Sequence, residues 1–396
     1  MRNYRATGVL AIALAGCATT DIRLCNRVTV APQSAGIAVG DSTQFAASYD
    51  RLAACTPPAP EAQLRWSTSD PSIAQVDSVT GMVTGVTPGS VDITAHLPGL
   101  QPPLGAGRAL VFEPLYDRIL TVRERITCTT PSCSAWSGTG ATGLWTLATD
   151  GSDPRVVRDS MRDPKHARVS PDGRAILFGD RDTLYIVDGA GQAVRPVPTG
   201  LPYNFEPSWS PDGRWILFAG VEDPLTTKLQ IFKVRPDGTD LRQLTNDPFG
   251  AHDASWSPDG ATIVFVRDSM ANGREAGAAM LMDTSGTVIR AVSGTLTPFY
   301  GRLPEWSPDG TALVFIERPC PMRLDIATGQ YDTLGVFDTN EPASWSPTDG
   351  RIIVSGGEIR YFDPALPVGL FLLRGLGPDS MFNSGAFYTP RRPGTP

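Results

Sequence analysis

The side chains that could do chemistry are few and widely spaced. The chain has three histidines, His96, His166 and His252. Together with the last two stand Glu206, Asp253, Arg302, Glu305 and Glu341, all two to five residues upstream of a Ser-Pro-Asp-Gly-type turn. A Ser-His-Asp triad or a histidine metal site needs such groups to converge, and nothing in their spacing brings them together. Glycoside chemistry needs two carboxylates at a set separation, but 41 acids are too many to single out a pair. No Gly-x-Ser-x-Gly elbow occurs before the chain ends at Pro396. The expectation is therefore no catalytic residue, no cofactor and no metal. As a set these residues are polar and mostly acidic. They read as an acidic funnel for a basic peptide or a cation, or else as a solvated rim bonded to neighbouring turns.

The elements that must position them are marked by a repeated turn. Val-Ser-Pro-Asp-Gly ends at Gly173, Trp-Ser-Pro-Asp-Gly at Gly213, Gly260 and Gly310, and Trp-Ser-Pro-Thr-Asp-Gly at Gly350. From serine to serine (Ser170, Ser210, Ser257, Ser307, Ser346) the intervals are 40, 47, 50 and 39 residues. That is the period of a β-propeller, whose four-stranded blades are stable only side by side. Pro presets φ, Asp bonds nearby backbone, and Gly accepts a positive φ. Trp209, Trp256, Trp306 and Trp345 are expected as apolar wedges between blades. The turn aspartates are architectural.

A second series of turns marks the outer hairpins: Asp150-Gly151, Asp188 to Gly191, Asp237-Gly238, Asp283 to Gly286, Asp325 to Gly329 and Asp363-Pro364. It counts six blades where the inner series counts five. The missing inner strand lies at the far end. Ala386-Phe-Tyr-Thr-Pro390 echoes Pro207-Ser-Trp-Ser-Pro211, and Thr389 follows Ser346 by 43 residues. Residues 383–390 are predicted to supply the innermost strand of the blade otherwise built from about 116–160, closing the ring so that no sheet edge is exposed.

Forty glycines, 36 prolines and no sustained helical period make the whole chain all-β. Ahead of the propeller (109–390, with a tail at 391–396), residues 24–97 alternate apolar and polar, with Trp66 as the core plug. The run Trp66-Ser-Thr-Ser-Asp-Pro-Ser-Ile-Ala-Gln-Val-Asp77, then Thr80-Gly-Met-Val-Thr-Gly-Val86 and Gly89-Ser-Val-Asp-Ile-Thr94, resembles the bacterial immunoglobulin-like domain, group 2. The resemblance implies a seven-strand β-sandwich, acting here as a spacer. Residues 98–108 read as a linker.

The blade pattern Trp-Ser-Pro-Asp-Gly-x-x-Ile-x-Phe (209–218), followed by Leu-x-Ile before Asp237-Gly238 and by Leu244-Thr245, is similar to the TolB propeller family over ~110–390. It implies a six-bladed ring used for protein–protein recognition in the bacterial envelope. Propellers of prolyl oligopeptidase-type enzymes share the motif but need a hydrolase domain. Polysaccharide lyases on related propellers use clustered histidines and a metal, to which only His166 and His252 could contribute.

Arg2, Arg5 and an apolar stretch from Gly8 to Ala15, too short to span a bilayer, read as a secretory signal. Leu14-Ala15-Gly16-Cys17 resembles the lipobox, which implies removal of 1–16, a lipidated Cys17 and a tether over 17–23. The alternative is a plain signal peptide. Ala18 in place of Asp implies the outer membrane. Losing two arginines takes the net charge from −7 to −9, which excludes nucleic acid as a partner and leaves the lipid as the sole membrane contact. Cys25–Cys55 and Cys128–Cys133 are candidate disulfides in an oxidising periplasm, and Cys320 is left over.

Together these readings make the chain a monomeric outer-membrane lipoprotein, facing the periplasm or the cell surface. Its propeller is a non-catalytic scaffold for an envelope protein or peptide. The rivals are a carbohydrate-active or peptide-processing enzyme using the channel mouth, and a surface adhesin. An enzyme should show converging carboxylates or histidines of perturbed pKa, and a scaffold a broad solvated mouth.

Overall fold

A computed structural model describes residues 26–51, 64–96, 105–128, 136–226, 228–271, 274–292, 302–317, 320–335, 342–356, 358–363, 370–372 and 381–394. These are strands and the turns joining them, and no helix among them is long and apolar enough to cross a membrane. The chain divides into two compact units, Met1–Val111 and Phe112–Pro396.

The first unit is a β-sandwich of a four-stranded, a three-stranded and a two-stranded sheet. Its core gathers every second residue of facing strands, among them Ile37, Phe45, Trp66, Val83 and Ile93. Trp66 is 6% exposed. It lies so close over Gly81 that a Cβ there would sit 2.6 Å from the indole, and at φ +76° that position suits glycine doubly. The expected linker needs correcting. Strand Gly105–Phe112 pairs along its length with Gly89–His96, so residues 105–108 are sheet and the sandwich has nine strands among the described residues, not seven. Its glycines looked like flexibility but mark close approach: a Cβ on Gly107 would meet the Pro32 carbonyl at 2.8 Å and Phe45 at 2.9 Å.

The second unit contains six four-stranded antiparallel sheets among the described residues. Their innermost strands are Met381–Tyr388 (first sheet), Pro164–Val169 (second), Tyr203–Trp209 (third), Ala251–Trp256 (fourth), Arg302–Trp306 (fifth) and Ser344–Trp345 (sixth). Successive residues of the second strands face opposite neighbours, and six apolar clusters result. They join Leu120 to Phe178, Leu177 to Phe218, Leu217 to Phe265, Val264 to Phe315, Val314 to Val354 and, returning to the start, Ile353 to Ile119. Each buried Phe or Leu contributes about 1.5–3 kcal/mol, and none is covered without the next sheet.

The closing strand lies where the sequence echo placed it. Ile119 pairs with Tyr388 and Leu120 with Phe387. The Arg118 amide donates to Thr389 Oγ1 at 2.8 Å, and the Thr389 amide to the Arg118 carbonyl at 2.8 Å.

The turns repeat one hydrogen-bond set. In the third sheet Ser210 Oγ donates to Asp212 Oδ1 at 2.6 Å, which also accepts the Arg214 amide at 3.0 Å, while Ser210 Oγ accepts the Trp215 amide at 2.9 Å. The same three bonds recur at Ser257 and Ser307. Gly213, Gly260 and Gly310 close them at φ 68°, 71° and 73°.

Candidate functional site

Each inner strand from the second to the fifth sheet skips a residue in its pairing: between Lys165 and Arg168, Phe205 and Ser208, His252 and Ser255, and Arg302 and Glu305. Such bulges re-aim side chains. At the bulge, four residues before the turn serine, His166, Glu206 and Asp253 adopt φ 49°, 54° and 53°. That left-handed backbone costs about 1–2 kcal/mol for a non-glycine residue and clusters at functional sites.

Two of these residues meet. The Asp253 amide donates to Glu206 Oε2 at 2.8 Å across 47 residues of sequence. His252 Nδ1 lies 3.0 Å from Asp253 Oδ2, and its Nε2 lies 3.1 Å from Asp268 Oδ1 on the adjacent strand. The Asp253 side chain is 4% exposed. Burial, then the neighbouring Asp253 charge, push the Glu206 carboxyl up to about 8. Burial disfavours a charged His252, but the bonds to Asp253 and Asp268 and the nearby carboxyl charges outweigh it and hold the imidazolium well above its ordinary range. At neutral pH the cluster thus holds a protonated Glu206 and a cationic His252, the latter between the carboxyl groups of Asp253 and Asp268. The expectation that the histidines find no partners is corrected here for His252. Ligand atoms of Glu206, His252 and Asp253 lie within 4.8 Å of one another, close enough to hold a cation, where the sequence reading expected none. Both ring nitrogens of His252 already face carboxylates, so a metal would have to displace one of them.

Two residues before the turn serine a second layer forms. Arg168, Ser208, Ser255 and Glu305 line a cavity of about 570 Å³ at the inner-turn end. Its walls are the turn prolines (171, 211, 258, 308, 347, 390), Trp209, Trp256, Trp306, Trp345 and Tyr388, with Arg391 joining them. The Arg168 guanidinium carbon sits 3.1 Å from the centroid of the Phe387 ring on the closing strand. Burial lowers its pKa to about 10 against the favourable charges of Glu305 and Asp253, so it stays a cation. Glu305 is raised by burial, with Arg168 and a 3.4 Å bond from Ser344 Oγ opposing. Its Oε2 is buried with no hydrogen-bond partner among the described residues.

The tryptophans are more than wedges. Trp209, Trp306 and Trp345 donate their indole N–H to the carbonyls of Arg168, Ser255 and Glu305 on the preceding sheet, at 3.2–3.3 Å. Trp256 Nε1 is buried without a partner among the described residues.

Of the seven residues singled out in the sequence, Glu206, His252 and Asp253 come together, and Glu305 lines the mouth beside Arg168. His166 holds the matching bulge of the second sheet, half-buried. Arg302 opens the fifth inner strand opposite Ile316, its side chain outside the described residues, as is the whole of Glu341. Cys17, Cys25, Cys55 and Cys133 also lie outside them, Cys128 is described in its backbone alone, and Cys320 is a half-buried free thiol. Sequence reasoning missed Arg168 and Asp268. Arg168 had a signal, since it stands before Ser170 as Glu305 stands before Ser307. Asp268 had none.

The TolB beta propeller domain model matches residues 140–358, and the bacterial Ig-like domain (group 2) model matches residues 25–97. An uncharacterized protein of Agrobacterium fabrum is 31% identical over 131 residues, 32% of this chain and 43% of its own length. The uncharacterized peptidase YuxL of Bacillus subtilis is 29% identical over 115 residues, 26% of this chain and 17% of its own. The chain thus spans less than half the length of the curated relatives it matches. Among solved structures, TolB from Acinetobacter baumannii superposes with a TM-score of 0.53 at 19% identity, covering 80% of this chain and 82% of that one. At that identity the likeness concerns the fold.

Proposed function

The chain belongs to the TolB beta propeller domain family, and from that premise we propose that it is a non-catalytic recognition module of the bacterial envelope. It takes a peptide segment of a partner protein at the inner-turn mouth. One observation carries this reading: the mouth is a preformed cavity of about 570 Å³ in whose wall Trp209, Trp306 and Trp345 are each hydrogen-bonded to the neighbouring sheet, and it is lined by both a cation, Arg168, and a carboxyl, Glu305. A rigid apolar wall with a few fixed polar groups suits binding with little ordering cost. Crosslinking capture from native envelopes tests it. Glu305→Gln combined with Arg391→Glu should lower capture of the main partner at least tenfold with an unchanged melting temperature, and unchanged capture would refute it.

Catalysis has one specific observation in its favour, the raised Glu206 beside His252, an arrangement that suits a general acid. Peptide and oligosaccharide substrate panels decide the point: turnover abolished by Glu206→Gln would establish an enzyme. The envelope assignment rests on residues 1–17. Metabolic labelling with a fatty-acid probe should tag the wild type and not Cys17→Ser, and equal labelling or none would remove the lipid anchor.

A further inference from the structure

A second cavity, of about 290 Å³, lies outside the channel between the third and fourth sheets. Its wall includes Trp215, Trp256, Lys233, Asp212, Asp259 and Thr284. One of these, Trp215, breaks the repeat. Five residues after the turn serine the other inner turns carry Ala175, Thr262, Ala312 and Arg351, where Trp215 stands. Lys233 pairs with Leu217 in a register that the other sheets fill with Thr146, Ile186, Leu281, Arg323 and Tyr361. Lys233 is 7% exposed there, where Arg323 of the fifth sheet is half-buried.

An ammonium has three donors to satisfy, and a buried one is costly when they are unmet. Lys233 Nζ donates to the Thr284 carbonyl at 2.5 Å, its one hydrogen-bond partner among the described residues, and lies 4.9 Å from the centroid of the Trp215 ring. Arg235 and Arg242 hold the same indole, their guanidinium carbons 4.0 and 5.4 Å from its centroid. Lys233 lines the cavity together with Thr284, whose carbonyl takes one of its three donors.

The remaining groups choose the ligand class. Asp212 and Asp259, both lining the cavity, use Oδ1 to close their turns, and Oδ2 of each has no hydrogen bond among the described residues. Two ionised carboxylates disfavour a phosphate or sulfate, and Lys233 with Arg235 and Arg242 disfavours an organic cation. The ammonium and carboxylates together disfavour a purely apolar guest. A neutral polyol with one apolar face meets all three conditions.

We propose that this cavity binds a single neutral pyranose unit. Its C–H face lies against the Trp215 and Trp256 indoles, its hydroxyls donate to Asp212 and Asp259, and one of its oxygens accepts from Lys233.

Titration of the full chain with methyl β-D-glucopyranoside, methyl β-D-galactopyranoside and methyl α-D-mannopyranoside, followed by tryptophan fluorescence, tests the proposal. Trisaccharides ending in each sugar separate a glycan terminus from a free monosaccharide. Saturable binding of at least one probe is expected. It should weaken at least tenfold in Lys233→Met and in Asp259→Asn, the second of which keeps the Oδ1 acceptor of the turn. Glu305→Gln at the channel mouth should leave it unchanged, which separates this site from the peptide reading. The proposal is overturned if no probe saturates, if inorganic sulfate competes for the site, or if both Lys233→Met and Asp259→Asn bind as the wild type does. Replacing a buried lysine by methionine should raise the melting temperature, so lost binding there cannot be put down to unfolding.

Discussion

Acidic residues a few positions apart in the same repeat stand in opposite electrostatic states. At the turns, Asp259 and Asp309 are held below the ordinary carboxylate range by the hydroxyls of Ser257 and Ser307 and by backbone amides. On the inner strands, Glu206 and Glu305 are pushed up, in each case first by burial. The ionisable group is a carboxyl in both cases, and its solvation differs. The turn carboxylate builds the ring because it is charged and hydrogen-bonded at the surface. The channel carboxyl is available to bind or to exchange a proton because the ring has dried it.

The largest test of that contrast removes the ring's closure. Deleting residues 381–396 strips the first sheet of its inner strand and removes Phe387 from under Arg168. It should cost more than about 5 kcal/mol in chemical denaturation, or abolish the cooperative transition. A loss under about 1 kcal/mol would mean that closure does not create the dry channel.

Next comes Glu206→Gln. Its folded pKa is raised from 4.5 to about 8, so the folded state binds more protons than the unfolded state between those values, and stability falls as pH rises through that window. His252, also raised, acts in the same direction, its contribution being lost as pH rises through its folded pKa. The amide mimics the protonated acid, so Glu206→Gln should gain about 2 kcal/mol at pH 9 and flatten the pH profile. A variant less stable than wild type at pH 9 would break the contrast.

Smaller effects separate the tryptophans. Trp306→Phe loses the 3.3 Å bond to the Ser255 carbonyl and should cost about 1 kcal/mol more than Trp256→Phe, whose indole N–H has no acceptor. Equal costs in urea unfolding would show that the bond between sheets adds nothing.

The smallest effect is that of Asp309→Asn. With a lowered folded pKa, its contribution is present above 3.8 and lost as pH falls through the folded value. The amide should therefore cost about 0.5 kcal/mol at pH 7, opposite in sign to the same acid-to-amide change at Glu206, and a gain there would erase the distinction between the two layers.

Much of the ring was legible because its signals are local. A Ser-Pro-Asp-Gly turn makes all its bonds within five residues, so type and order suffice. The echo at Ala386–Pro390 was readable because Thr389 repeats the role of the turn serines, bonding Arg118 in its own sheet. The sandwich boundary was misread because glycine has two uses. Gly105 and Gly107 looked like linker, yet they allow backbone and side chains of other strands to approach.

By itself the amino-acid order determined an all-β chain, a period of four-stranded units, the turn that joins them and the strand that closes the first sheet. Tertiary structure alone decided which polar residues meet and in what protonation state. Glu206 and Asp253 are 47 residues apart in sequence and 2.8 Å apart in space. Burial and a neighbouring charge, which no spacing along the chain encodes, set the state of Glu206.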